Sequence, residues 1–307
     1  MKRPRFYVSL KGESMRDFLV NMKKRPIIII FTALFTAVGC FAVQFNPFTK
    51  EFGSLERLFK TDYTQLLTDI AEWLKGRATD PSLLVTTIAI AVLSVLGVSI
   101  VGGLFTSGLS YIMYINTYNG IHRVAKKRKT GTLFGEGVNK RFWSMTGYIF
   151  VSIITLAVIV FLLAYLNMPM AISIGKVIAG DTSQILPMLL LIAVMVVVMF
   201  FVVVFYSMYV SYMMPSIIAF RRGAVRVAFK IVNSYCWYLI PRTLLFLVYN
   251  LGIEIALLAL NYGLADQTLS IVVFAANFLL RTIGILYYTH YVFKTYIEMK
   301  EDMFDEA

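Results

Sequence analysis

Six apolar runs, each near the roughly 20 residues that a hydrocarbon layer demands, are separated by loops whose lysines and arginines fall on alternate sides. Lipid tails offer a peptide backbone no hydrogen bonds, so each run must satisfy its own as a helix. The runs lie at 26–45, 82–106, 145–167, 185–210, 239–261 and 268–292. The expected fold is all-α: a polytopic transmembrane bundle of six spans, with amphipathic helices at its interfaces.

Hydrophobic residues make up 59% of the 307 and charged residues only 15%, which leaves no room for a large water-soluble domain. The net charge of +12 sits beside the apolar runs rather than on a soluble face. Anionic lipid headgroups are therefore the expected counter-charge, and nucleic acid is not an expected partner. Sorting the lysines and arginines by side, with Arg242 at the start of the fifth run counted on the basic side, gives 22 against six and leaves Arg281 deep inside a run. By the positive-inside rule this predicts a multi-pass protein of a prokaryotic cytoplasmic (inner) membrane with both termini cytoplasmic. The layout is then a basic segment at 1–25, a six-helix domain at 26–295 and an acidic tail at 296–307. The first run is of full spanning length and no small-residue cleavage site follows it, so it reads as an uncleaved helix. Cys40 and Cys236 fall near opposite faces, and no disulfide is expected.

The segment 46–81 is the largest on the less basic side. Leu55, Leu58, Phe59, Leu66, Ile70 and Trp73 recur there at spacings of three and four, which predicts an amphipathic helix over 54–76. Such a helix lies on the outer leaflet or caps the bundle; a partner surface or lid is the functional alternative.

Two loops on the basic side echo each other. Leu109, Ser110, Tyr111, Ile112 and Met113 match Val210, Ser211, Tyr212, Met213 and Met214. Downstream, Val138, Asn139 and Trp143 match Val232, Asn233 and Trp237. Both units read as helix, inner amphipathic segment, helix, in one orientation, as a parallel duplication would. Gly102 and Gly103 have no glycine counterparts in the fourth run, which speaks against a transporter built from matching broken helices.

The pattern around Pro215, Ile218, Arg221, Gly223, Ala224, Val227, Ala228 and Asn233 resembles that of the six-span glycerophosphoryl diester phosphodiesterase membrane-domain superfamily. Prokaryotic six-span integral membrane families of unknown function share it. The resemblance spans residues 85–295 and implies a membrane-embedded helical module. It does not imply phosphodiesterase activity, since no soluble catalytic domain is appended.

Two polar pairs lie deep within the last two runs. Asn250 and Glu254 are four apart on the fifth, and Asn277 and Arg281 are four apart on the sixth, so each pair shares a helix face. At about 1.5 Å per residue from the outer turn, Glu254 and Asn277 lie about 12 and 13 Å deep, and Asn250 and Arg281 about 18 and 19 Å. The four meet if the two helices pack as an antiparallel hairpin. A charge at that depth costs at least about 2.5 kcal/mol unless it is paired or hydrated, so Glu254 and Arg281 are expected to satisfy each other. The favoured reading is a polar clasp that fixes packing. The alternative is a proton, ion or headgroup site.

Arg221, Arg222, Arg226 and Lys230, interleaved with Val225, Val227, Phe229 and Val232, form a basic amphipathic helix suited to anionic lipid or to a partner membrane protein. Enzymatic signals are weak. His122 and His290 read as interfacial residues, and Gly131, Gly135 and Gly137 as a flexible turn, since no Lys-Ser or Lys-Thr follows. No metal or cofactor motif occurs. The sequence thus points to a non-enzymatic accessory, scaffold or assembly subunit, associated with lipid, a partner membrane protein or a second copy. A transporter or lipid translocator using the polar site between the fifth and sixth runs is the alternative.

Overall fold

The computed structural model describes residues 26–44, 81–122, 124, 128–178, 180–220, 222–263 and 267–304. The basic segment 1–25, the expected amphipathic helix 54–76, Arg221 and residues 305–307 lie outside them. The described residues form seven α-helices, α1 (Pro26–Gln44), α2 (Pro81–Ile121), α3 (Thr130–Ile178), α4 (Ile185–Ala219), α5 (Ala224–Ser234), α6 (Cys236–Gly263) and α7 (Gln267–Phe304).

Four stretches are long and apolar enough to cross a membrane: Ile88–Ile121, Thr130–Val177, Thr182–Ala219 and Cys236–Ala256. They contain most of the second to fifth runs read from the sequence. In α1 the apolar stretch that qualifies, Pro26–Ala37, is shorter, and α7 is not among the four. Several long apolar helices mark a multi-pass membrane protein.

The helices are longer than hydropathy alone suggests. With 49 residues, α3 is about 74 Å long at 1.5 Å per residue, against a hydrocarbon layer of about 30 Å. The 41 residues of α2 extend about 62 Å by the same rule. Much of 107–144, read from its charges as a loop, is therefore helix that continues past any membrane. Only 122–129 connects α2 to α3. Gly131, Gly135 and Gly137 correspondingly lie in the first turns of α3, not in a flexible turn. Polar residues ended the apolar pattern there without ending the helix: uncharged serine, tyrosine and asparagine carry α2 on, and Glu136, Lys140 and Arg141, of types that form helix well in water, lie in the start of α3.

The chain divides into two compact units. One comprises Met1–Ser54, Leu104–Met145 and Val204–Ala307, and the other Leu55–Gly103 and Thr146–Val203. In the first, six helices converge on one core: Ile112 of α2, Leu133 of α3, Tyr212 of α4, Ile231 of α5, Leu239 of α6 and Phe293 of α7 are all fully buried. Around it α7 packs against α1, α5 and α6. Close approach of α2 and α3 depends on glycine, since a Cβ at Gly137 would sit 2.6 Å from both the Ser107 carbonyl oxygen and the Tyr111 Cβ. Tyr296, Ile297 and Met299 are also buried, so the expected tail from 296 continues α7 to Phe304 rather than hanging free.

The second unit contains the first part of α2 up to Gly103, α3 from Thr146 to its end, and α4 up to Val203. Gly103 lies against the Thr146 backbone, where a Cβ would meet the Thr146 Cα at 2.8 Å. Ser99 and Met195 are buried, but Val151, Leu156, Phe161, Leu186, Leu190 and Val196 are exposed. An apolar surface of that extent is unsuited to water and suits lipid. The turn between α3 and α4 uses Gly180 at φ +98° and the Asp181 carboxylate, which accepts from the Ser183 backbone N–H at 3.1 Å.

The two echoing stretches are built differently. After 122–129, α3 runs straight on into its apolar part. After 220–223, α5 leads into α6 through one non-helical residue, Tyr235 (φ −114°, ψ 17°), which still donates its N–H to the Ile231 carbonyl at 3.0 Å. Trp143 and Trp237, the matched tryptophans, are 78% and 89% exposed. Gly223 opens α5 in the left-handed region, at φ +73°.

Candidate functional site

Three of the four polar residues in the α6–α7 hairpin come together. Arg281 donates from Nη2 to Glu254 Oε1, and from Nε to Asn277 Oδ1 at 2.6 Å. Asn250 stands apart: its amide donates back to the Phe246 carbonyl of its own helix at 2.8 Å. Below the ion pair the hairpin is fastened twice more. The Tyr249 hydroxyl donates to the Leu280 carbonyl at 2.7 Å, with its ring over Gly284. Phe246 and Tyr288 stack with ring centroids 3.9 Å apart and planes 5° from parallel.

Side-chain exposure of the pair is uneven, 55% for Glu254 and 23% for Arg281. Cys40 of α1 lies within electrostatic reach of both. Chemically, the guanidinium fork is shared between a carboxylate and an amide, which neutralises the charge and fixes the rotamers. Among the described residues no group of three or more His, Cys, Asp and Glu side chains is placed to hold a metal ion.

On α5 Arg226 and Lys230 are exposed, together with Val225 and Phe229, while Ala228, Ile231 and Val232 are buried in the core. Arg222 is also exposed but precedes the helix, separated from it by the left-handed Gly223, so the expected basic helical face holds two of its cations on α5 itself. Aromatic contacts steady the helix: Phe229 stacks on Tyr209 at 4.6 Å, and Lys230 Nζ lies 5.6 Å over the Phe304 ring. The Tyr209 hydroxyl donates to Asn233 Oδ1 at 2.5 Å.

A second polar constellation was not anticipated. Ser211 and Tyr212 of α4, Tyr238, Arg242 and Thr243 of α6, and Tyr288, Tyr291 and Thr295 of α7 gather where these helices meet. The Tyr288 hydroxyl donates to Ser211 Oγ at 3.3 Å. Arg242 stacks its guanidinium 4.1 Å over the Tyr238 ring and lies 5.8 Å from that of Tyr291. Tyr212, Thr243 and Thr295 are buried. His290 and Lys294 are buried alongside, so His290 is a core residue rather than the interfacial one the sequence suggested. The available signal was the three-residue spacing of Tyr206, Tyr209 and Tyr212, repeated by Tyr235 with Tyr238 and by Tyr288 with Tyr291.

The end of α7 is held by polar contacts. Glu301 pairs with His122 Nε2 at 2.8 Å, and Asp302 accepts from the Tyr235 hydroxyl at 2.6 Å. Burial pushes the Tyr296 hydroxyl well above the ordinary tyrosine range. Comparison of the chain with protein families, curated proteins and solved structures finds no match, so the resemblance noted above rests on the sequence pattern alone.

Proposed function

We propose that the protein is a non-enzymatic, six-span component of a prokaryotic cytoplasmic membrane, both termini cytoplasmic, acting as an accessory or assembly subunit that engages anionic lipid or a partner membrane protein at the cytoplasmic face. The observation that carries this reading is α5. One side of it is locked into the core through Ala228, Ile231 and Val232. The other presents Arg226 and Lys230 among Val225 and Phe229, and Arg222 stands exposed just ahead of the helix. Cations interleaved with apolar side chains on a firmly anchored helix suit a surface that is negative outside and apolar beneath. The exposed Trp143 and Trp237 fit the headgroup level of the same leaflet. The satisfied Glu254–Arg281–Asn277 set fits a packing clasp.

The half-exposed carboxylate of Glu254 favours one second reading, a transporter or lipid translocator that opens at this pair. Affinity purification in mild detergent, with bound proteins and lipids identified together, separates the two when combined with flux measurements in liposomes. A stoichiometric partner or retained anionic lipid, with no solute movement, is the expected result. Movement that depends on pH or ions and is abolished by Glu254→Gln would replace the assembly reading with the translocator.

A further inference from the structure

We propose that Arg242 holds the phosphate of one anionic phospholipid, a defined site distinct from the diffuse basic face of α5. This deepens the lipid-associated reading above and rests on it. Along α6 the residues Trp237, Leu245, Val248 and Leu251 are exposed at successive spacings of eight, three and three, while Leu239 and Thr243 are buried on the opposite side. Arg242 lies on the shoulder between the two, half-buried.

Its guanidinium is held but scarcely used. Stacking on Tyr238 fixes the plane, and the one hydrogen bond it makes, from Nη1 to the Tyr238 carbonyl, is long at 3.4 Å. Among the described residues no carboxylate lies within 4.0 Å of it, whereas Arg128, Lys140 and Arg281 each have one. Most of its five N–H donors therefore remain for an outside acceptor. A planar fork with fixed orientation matches the oxygens of a phosphodiester.

Behind it lies the hydroxyl-bearing core of α4, α6 and α7, most of it engaged internally: Ser211 accepts from Tyr288, and Thr295 donates to the Tyr291 carbonyl at 2.8 Å. The free donors of Arg242 therefore face outward rather than into that core. The chemistry shared by a lipid headgroup and free phosphate would satisfy them. The apolar flanks decide for lipid, because Trp237 and Leu245 stand exposed about one turn to either side of Arg242, where acyl chains would lie. The cations of α5, exposed and without such a backing, attract the leaflet as a whole.

The test is native mass spectrometry of the delipidated full chain titrated with phosphatidylglycerol, with phosphatidylcholine and with inorganic phosphate. One phosphatidylglycerol should bind about tenfold tighter than phosphatidylcholine, and Arg242→Gln should erase that preference. Arg242→Lys, which keeps the charge and the fold but not the fork, should lose about threefold. The α5 triple variant Arg222→Gln, Arg226→Gln, Lys230→Gln should retain the tight lipid and lose weaker, additional ones. Full retention by a monodisperse Arg242→Gln protein overturns the site. So does displacement of the lipid by inorganic phosphate, which would assign the site to a soluble ion. If the α5 triple variant alone strips the tight lipid, the Arg242 site fails while the proposed function stands. If Arg242→Gln does not fold, Arg242→Lys decides, and unchanged preference in it overturns the proposal.

Discussion

Arg281 bonds to Asn277 on its own helix and to Glu254 on the neighbouring one, so a single guanidinium ties α6 to α7. Removing one member leaves the other charge without its partner in a poorly solvating layer. Glu254→Gln and Arg281→Leu should each lower unfolding stability by roughly 2–3 kcal/mol, and Asn277→Ala by about 1 kcal/mol. The charge-swapped double variant should recover part of the loss. Thermal unfolding in one detergent measures all four, and single variants that unfold like the parent yet lose activity would defeat the clasp.

Glycines in the first turns of α3 give a paired comparison. Gly135 has open space around its Cβ position, whereas Gly137 is pressed on the Ser107 carbonyl and Tyr111. Gly135→Ala should be neutral or stabilise by up to about 1 kcal/mol through helix propensity. Gly137→Ala should destabilise by about 1–3 kcal/mol through overpacking. Equal unfolding temperatures for the two variants would contradict this α2–α3 packing.

Trp143 and Trp237 are the matched tryptophans of the two echoing sequence stretches and are both exposed. With Trp73→Phe as background, each should report fluorescence quenching by spin labels at the lipid headgroup more strongly than by labels deep in the acyl chains. Deep quenching of either would break the equivalence of the two units.

Contacts at the end of α7 predict a graded series. Tyr296→Ala opens a cavity in the core and should cost about 3–5 kcal/mol. Tyr235→Phe deletes the hydrogen bond to Asp302 and should cost about 1–2 kcal/mol. Chemical denaturation of the three proteins gives the order directly. A Tyr296→Ala protein as stable as Tyr235→Phe would mean that residues 296–304 contribute little.

Hydropathy made the apolar helices legible because a lipid-facing helix must be apolar all round, and four-residue spacing made the Glu254–Arg281 pairing legible because depth follows from rise per residue. Asn250 was misjudged, since its amide finds a carbonyl one turn back without needing α7. The extensions of α2, α3 and α4 were hidden because polar or charged residues that end an apolar run say nothing about the end of a helix. The tyrosine-rich core was hidden for a related reason. Tyrosine, serine and threonine near a basic boundary look interfacial until the packing of α4, α6 and α7 shows that they face one another. His290 shares that fate.

The core of the first unit takes Ile112 and Met113 from α2, early in the sequence order, and Phe293, Tyr296, Ile297 and Met299 from α7, far along it. During synthesis, earlier segments can insert one by one, but their meeting place stays unfinished until α7 has left the ribosome. Until then the small and polar faces of α2 and α4 remain open to insertion machinery or membrane chaperones, and quality control has a natural checkpoint in the arrival of that last helix.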